Sequence, residues 1–164
     1  MDQDISPFVL EKEFLKVVEA FNSAHLGFVL IGGLAVAVYG HVRYTKDIDV
    51  VIRESQLPKF KAVLESLDYI IDNGRLPFPS TGMTSYRMEK FVNDSILSID
   101  MLLEPDDSKF FQNPFVVVNG PYEIPVAEKQ LLIEMKSKST RSKDQNDIEE
   151  IRDFIAGEKP DETT

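Results

Sequence analysis

The most constraining feature of the sequence is a short apolar strand that runs directly into two glycines. Residues 28–31 are continuously apolar, which is typical of a buried strand, and Gly32 and Gly33 end the run. Glycine adopts any φ and carries no side chain, and backbone N–H groups at a turn that opens a helix can hold a phosphate. A short helix is predicted over residues 34–39, with Gly40 as its stop. The pattern indicates a strand, a tight turn and a helix, although a Gly-Gly pair is also common in ordinary turns.

The next predicted strand, residues 45–53, carries two aspartates. Asp47 and Asp49 are two residues apart, so strand alternation points both carboxylates to one face. Their α-carbons are expected to lie roughly 6.5 to 7 Å apart. At this spacing both side chains can reach metal ions about 3.5 to 4 Å apart, the separation found in phosphoryl-transfer sites. A solvated strand end is the simpler explanation of the same pattern.

A third aspartate interrupts the apolar strand predicted over residues 95–103. One face of this strand is wholly apolar, and Asp100 lies on the other face. An ionised carboxylate in such a position is costly unless a metal ion or a hydrogen-bond donor compensates it. Asp100 is therefore a candidate member of the same site, and the alternative is a capped or salt-bridged aspartate.

Composition narrows the chemistry that is available. The chain has 164 residues, no cysteine and two histidines, which leaves carboxylates as the groups for catalysis. A net charge of −10 argues against strong nonspecific binding of nucleic acid. Because no apolar run is long enough to span a bilayer and the N-terminus lacks a signal-peptide core, we expect a cytoplasmic protein with no membrane partner.

Four basic residues lie within eight positions near the end of the chain. They are Lys136, Lys138, Arg141 and Lys143. In an acidic protein such a cluster is a candidate phosphate contact. Cations that complement the C-terminus of a helix explain Lys136 and Lys138 about equally well.

The order and spacing of these features resemble the nucleotidyltransferase superfamily related to DNA polymerase β. Its signature is a Gly-Gly or Gly-Ser turn, a short helix, Asp-x-Asp on the next strand and a third carboxylate on a later strand, the position of Asp100. The run Arg43, Thr45, Asp47 and Asp49 matches an Arg-x-Thr-x-Asp-x-Asp form of the motif. In this form the sequence looks most like the branch of abortive-infection type nucleotidyltransferase toxins and related small bacterial proteins. The resemblance is close over residues 28–53 and looser to about residue 154.

The resemblance implies transfer of a nucleoside monophosphate from an NTP to a hydroxyl group, with release of pyrophosphate. Asp47 and Asp49 are implied to hold two Mg²⁺ or Mn²⁺ ions, and Asp100 to complete the acceptor-side ion and help deprotonate the attacking hydroxyl. The residues implied to bind the nucleotide are Gly32, Gly33, Arg43, Thr45 and Lys136.

The sequence does not identify the acceptor. RNA, a protein side chain and a small-molecule hydroxyl are all compatible with the resemblance, because the fold does not fix acceptor specificity. The branch also suggests a role in a toxin-antitoxin or phage-defence system, with a protein partner. The alternative is a catalytically silent nucleotide-binding or partner-binding module of a two-gene system, against which the three aspartates count.

The expected fold is α/β (α+β), with a mixed, partly antiparallel sheet, helices mainly on one face and a C-terminal helical pair at residues 128–138 and 143–156. We expect one domain over residues 1–157 and a disordered acidic tail over residues 158–164. Residues 72–83 are rich in Gly, Pro and Ser, which predicts a loop. Ser55 is the expected N-cap of the helix that precedes this loop.

Overall fold

The computed structural model describes residues 6–40, 45–78, 81–137 and 142–153. These residues form five helices and seven strands, with short 3₁₀ turns at Glu54–Gln56 and Lys109–Phe111. In chain order the elements are α1 (Pro7–Ser23), β1 (Phe28–Ile31), α2 (Gly32–Val38), β2 (Asp47–Arg53), α3 (Leu57–Ser66), β3 (Ile71–Pro77), β4 (Thr84–Val92), β5 (Ser95–Glu104), β6 (Phe115–Asn119), β7 (Tyr122–Val126), α4 (Lys129–Ser137) and α5 (Ser142–Asp153).

The seven strands form one mixed sheet in the order β3-β4-β5-β2-β1-β7-β6. Strand β2 runs parallel to β5, and β1 runs parallel to β7. The other neighbouring pairs are antiparallel. The predicted α/β fold with a mixed, partly antiparallel sheet is confirmed.

Helices α1 and α3 pack together on one face of this sheet. The ring of Phe21 in α1 meets the rings of Phe28 in β1 and Phe60 in α3 edge-on, with centroids 5.2 and 4.9 Å apart. Phe28 is paired with Ile52, which lies three residues from Asp49 on β2. Because side chains alternate along a strand, Asp49 points to the opposite face. The two helices therefore cover the face of the sheet opposite Asp49.

The C-terminal helices form a pair, as predicted. Lys136 in the last turn of α4 forms an ion pair with Asp147 of α5, with Nζ and Oδ2 2.9 Å apart. Both side chains are buried. The end of the second predicted helix and the predicted tail, residues 154–164, lie outside the described residues. None of the described helices is long and apolar enough to cross a bilayer.

Two local expectations are wrong. The loop expected over residues 72–83 begins instead as strand β3, which pairs antiparallel with β4 and accommodates Gly74 in a bulge with φ of +69°. Since β3 is an edge strand, Pro77 at its end interrupts no inner ladder. Ser55 is not an N-cap, because α3 begins at Leu57 and the Ser55 hydroxyl donates to Asp106 at 2.8 Å.

Candidate active site

Two rows of polar side chains cross strands β2, β5 and β4 on the face opposite α1 and α3. In the first row Asp49 is paired with Asp100 on β5, and Asp100 is paired with Arg87 on β4. In the second row Asp47 is paired with Ser98, and Ser98 with Glu89. Adjacent strands are about 4.8 Å apart, so neighbouring side chains within a row are within reach of each other. The structure therefore brings the three predicted aspartates together.

Arg87 is the cation of this cluster. Its Nε donates to Oδ1 of Asp100 at 2.7 Å and its Nη2 to Oδ2 at 2.9 Å. This two-point geometry is the strong form of the arginine–carboxylate pair. Asp100 is buried, with a side chain 7% exposed, whereas the Arg87 side chain is 35% exposed. The donor that the sequence required for Asp100 is thus an arginine on the neighbouring strand.

Among the described side chains, Asp49 lies next to two carboxyl groups and one cation, Arg87. Its pKa is raised to about 8 by burial and by the carboxyl groups of Asp100 and Asp47, and Arg87 offsets only part of this effect. Without a further cation Asp49 therefore carries a proton at neutral pH. Crowded carboxylates of this kind are common at functional sites.

In the second row, Glu89 is satisfied by neutral donors. Its Oε2 accepts a hydrogen bond from the Ser98 hydroxyl at 2.7 Å, and its Oε1 accepts one from the side-chain amide of Asn73 on β3. Glu89 therefore makes these two bonds without taking Arg87 away from Asp100.

The glycine turn lies directly against the aspartate strand. Gly32 has φ of +72°, and a Cβ atom at this position would lie 2.2 Å from Oδ2 of Asp49. A Cβ atom at Gly33 would lie 2.9 Å from Cβ of Thr45. Both positions therefore require glycine for packing, whatever else the turn binds. The N-cap of α2 is Ile31, whose apolar side chain cannot cap the first N–H groups of the helix.

Thr45 and Lys136 have structural contacts of their own. The Thr45 hydroxyl lies 3.4 Å from the backbone nitrogen of Asp47, at the start of β2. Lys136 is engaged with Asp147, as described above. Arg43 lies outside the described residues, as do Lys138 and Arg141. The nucleotide contacts of all these residues remain predictions.

The donor set of the cluster suits a hard divalent cation. Carboxylate oxygens are the ligands that Mg²⁺ and Mn²⁺ prefer, and the pKa of Asp49 is raised by burial and by the neighbouring carboxyl groups of Asp100 and Asp47. Within the described part of the chain, no three acidic or histidine side chains are already arranged around one point as ligands. At Asp100 both oxygens are hydrogen-bonded to Arg87. Asp47 and Asp49 thus fit a metal ion, and Asp100 can join them if Arg87 yields.

Sequence reasoning missed Arg87, although the sequence holds a signal for it. Asn93 and Asp94 form a two-residue turn between β4 and β5, with φ of +56° at Asn93. A two-residue turn fixes the register of a hairpin, and in this register Arg87 lies opposite Asp100. The register therefore identifies Arg87 as a residue that can neutralise Asp100.

Comparisons with known proteins agree with this geometry. A sequence model of the aminoglycoside-2''-adenylyltransferase family matches residues 13–91, just under half of the chain. The lincosamide antibiotic adenylyltransferase LnuA, solved with lincomycin bound, is 18% identical with a TM-score of 0.65, over 93% of this chain and 100% of that one. A nucleotidyltransferase from Thermotoga maritima, TM1012, is 14% identical with a TM-score of 0.63, over 90% of this chain and 94% of that one.

A further solved structure is ANT(2'')-Ia in complex with adenylyl-2''-tobramycin. It is 15% identical with a TM-score of 0.55, over 86% of this chain and 87% of that one. A comparison of the sequence with curated proteins found no match. The matched segment contains the glycine turn, Asp47 and Asp49, and the solved nucleotidyltransferases share the fold of this chain. The resemblance to the nucleotidyltransferase superfamily is confirmed, whereas the toxin branch stays a prediction.

Proposed function

We propose that this protein transfers a nucleoside monophosphate from an NTP to a hydroxyl group of a small-molecule acceptor. In this reaction the acceptor oxygen forms a bond to the α-phosphorus, the bond between that phosphorus and the bridging oxygen breaks, and pyrophosphate leaves. The observation that carries the proposal is the row in which Asp49 and Asp100 are directly paired, with Asp47 two residues away on the same face. Three carboxylates at one place suit a cation-assisted phosphoryl transfer.

In the proposed mechanism Asp47 and Asp49 hold divalent cations, two ions of Mg²⁺ or Mn²⁺ at full occupancy, with Asp100 as the third carboxylate. Nucleotidyltransferases of this kind generally use divalent metal ions. The bound cations would neutralise charge on the triphosphate and favour ionisation of the attacking hydroxyl. Asp100 accepts the proton of that hydroxyl. An Asp100 oxygen is available for this proton only when its hydrogen bond from Arg87 breaks.

The remaining contacts are assigned to the turn and to cations near it. Gly32 and Gly33 present backbone N–H groups to the phosphates at the start of α2, close to Asp49. Arg43, Thr45 and Lys136 are proposed to complete the nucleotide site. A cytoplasmic location would supply both NTP and Mg²⁺.

The proposed acceptor class rests on what the similar structures are printed to contain. LnuA is described as lincomycin-bound, and ANT(2'')-Ia as a complex with an adenylylated tobramycin. These acceptors are small molecules with hydroxyl groups. An RNA or protein acceptor, and a role in toxin-antitoxin systems, are weaker predictions that the same experiment addresses.

The test is incubation with each α-³²P-labelled NTP, Mg²⁺ and three separate acceptor pools: small hydroxylated compounds including aminoglycosides and lincosamides, total RNA, and total protein. We expect label in the small-molecule pool, with stoichiometric release of pyrophosphate. Label in RNA or protein alone would overturn the proposed acceptor and keep the reaction class. The Asp106→Asn variant is the matched control, because Asp106 is an exposed carboxylate that pairs with Ser55 away from the site.

A catalytically silent nucleotide-binding module is the second candidate. One observation favours it, since Arg87 takes both oxygens of Asp100 and so fills the third carboxylate position with an internal cation. Tight NTP binding with no label in any pool and no pyrophosphate release would support this candidate over the enzyme.

A further inference from the structure

Arg87 is a charged group of the carboxylate cluster to which the proposed reaction assigns no task of its own. It is paired with Asp100 on one side of β5, and Asp49 is paired with Asp100 on the other side. Asp100 therefore stands between an internal cation and the place where external cations are proposed to bind. The two sides compete for the same carboxylate.

The chemistry of the pair makes this competition strong. Hydrogen bonds of 2.7 and 2.9 Å engage both Asp100 oxygens in the two-point geometry that arginine forms best. A dication on the same carboxylate would be repelled by the guanidinium, and the repulsion is poorly screened at a half-buried site. Occupation of Asp100 by Arg87 and occupation by a metal ion thus oppose each other.

The burial of the two partners decides which of them can move. The Asp100 side chain is only 7% exposed and is fixed in the middle of the sheet, whereas the Arg87 side chain is 35% exposed. Arg87 can therefore turn towards solvent without opening the core. Glu89, two residues further along β4 on the same face, is already hydrogen-bonded to Ser98 and Asn73.

We propose that Arg87 is a positioning residue that holds Asp100 until nucleotide and divalent cations arrive, and that it competes with the acceptor-side cation for Asp100. This inference rests on the proposed function. It means that one divalent ion on Asp47 and Asp49 can leave the Arg87–Asp100 pair intact, whereas a second ion on Asp100 must displace Arg87. Arg87 therefore sets the metal concentration at which the site is complete.

A purely structural arginine would behave differently when it is removed. If Arg87 only neutralises a buried aspartate, its loss lowers stability, loosens the cluster and weakens metal binding. If it competes for Asp100, its loss strengthens binding of the second ion, and metal then restores part of the lost stability. The sign of the change in metal affinity separates the two roles.

The experiment is a Mn²⁺ titration followed by electron paramagnetic resonance of free Mn²⁺, in the presence of a non-hydrolysable ATP analogue. The wild type is compared with Arg87→Met and with Arg75→Met. Arg75 is the matched control, because it forms an exposed pair with Glu54 and faces the other side of the sheet. We expect the second Mn²⁺ to bind about tenfold more tightly to Arg87→Met than to the wild type and to the control. The melting temperature of Arg87→Met should also rise more on addition of Mn²⁺.

Equal or weaker binding of the second Mn²⁺ by Arg87→Met would overturn this inference and leave the proposed function standing. If the wild type binds no Mn²⁺ in the titration, the metal site of the proposed function fails, and this inference fails with it. If Arg87→Met does not fold, Arg87→Lys decides, since it keeps the charge and loses the two-point contact. About threefold tighter binding of the second ion is then expected, and an unchanged affinity would refute the competition.

Discussion

Strand β4 contributes a cation to a cluster of charged side chains on each face of the sheet. The two clusters differ in their balance of positive and negative charge. On the helix face Lys90 pairs with Glu13 of α1, with Nζ and Oε2 2.5 Å apart, and Lys16 lies 3.2 Å from the other Glu13 oxygen. On the opposite face Arg87 pairs with Asp100. Both clusters include a buried carboxylate next to a cation, but in the described part of the chain only the first has as many cations as carboxylates.

The pKa values show what this difference does. Burial alone would raise the pKa of Glu13, but the hydrogen bonds and charges of Lys90 and Lys16 outweigh burial and lower it. Burial and two neighbouring carboxyl groups raise the pKa of Asp49 to about 8 in spite of Arg87. The balanced cluster is complete without a ligand, which is typical of structure. The cluster of Asp47, Asp49, Asp100 and Arg87 would be stabilised by a bound cation, which is typical of a binding site.

The largest expected effect comes from Asp49→Asn, which removes a charge from the unbalanced cluster. We predict a loss of about 10³-fold in nucleotidyl transfer, because a proposed metal ligand is lost. The free energy of unfolding without metal should stay unchanged or rise, since Asp49 is protonated at neutral pH in the folded state. Steady-state kinetics and urea unfolding measure the two quantities, with Asp106→Asn as the control. Full activity in Asp49→Asn would remove Asp49 from the site.

The next largest effect is a loss of stability in the cluster of Glu13, Lys16 and Lys90. Lys90→Met should lower the free energy of unfolding by about 3 kcal/mol, because among the described residues it leaves the buried Glu13 paired only with the half-exposed Lys16. Affinity for Mg²⁺ should not change, since Lys90 lies on the other face of β4 from Arg87.

The double variant Glu13→Leu/Lys90→Met sharpens this prediction. Replacing both partners by apolar residues should recover most of the lost stability, because no buried charge is left unpaired. If Lys90→Met costs less than about 1 kcal/mol in chemical unfolding, the cluster is not a buried structural pair and the comparison between the two faces breaks.

A pair of glycines tests the contact between the turn and Asp49. Gly32 and Gly74 have nearly the same φ, +72° and +69°, but a Cβ atom would meet Asp49 at Gly32 and nothing within 4 Å at Gly74. Alanine at either position should cost about 1 to 2 kcal/mol of unfolding free energy through backbone strain. Only Gly32→Ala should also displace the Asp49 carboxylate and weaken Mg²⁺-dependent nucleotide binding. Equal nucleotide affinity in the two variants would mean that the turn does not shape the site.

The smallest predicted effect is a pH dependence of stability in the presence of EDTA. Folded Asp49 keeps its proton up to a pH of about 8, whereas the unfolded chain releases it near pH 4, so the folded state holds the extra proton between these values. Stability therefore falls as the pH rises through this window and levels off above it. Between pH 6 and 7 the wild type should lose about 1.4 kcal/mol relative to Asp49→Asn in urea unfolding. Parallel pH profiles of the two proteins would contradict the raised pKa.

Much of the fold can be predicted from local sequence patterns. The apolar run at residues 28–31 coincides with β1, and Asn93-Asp94, a typical hairpin turn pair, lies between β4 and β5. Strand β3 was missed because Gly74 and Pro77 are loop residues by propensity. Pairing with β4 through a bulge overrides that propensity, and this pairing is a tertiary effect that local composition does not contain.

The sequence predicts which residues belong to the candidate site better than it predicts the contacts between them. Spacing alone put Asp47 and Asp49 on one face. That Asp49 lies beside Asp100 depends on the parallel pairing of β2 with β5, which are far apart in the chain. The partner of Lys136 depends in the same way on how α5 packs against α4. Charge balance follows from such non-local contacts, so the raised pKa of Asp49 required the structure.

The most direct test of the central claim is the affinity for a non-hydrolysable ATP analogue, measured by calorimetry with Mg²⁺ and with EDTA. If the excess of carboxylates on the sheet face is a cation site for nucleotide chemistry, affinity should be at least about tenfold higher with Mg²⁺ in the wild type, and Asp49→Asn should lose most of this difference. Equal affinity of the wild type with Mg²⁺ and with EDTA would contradict the account.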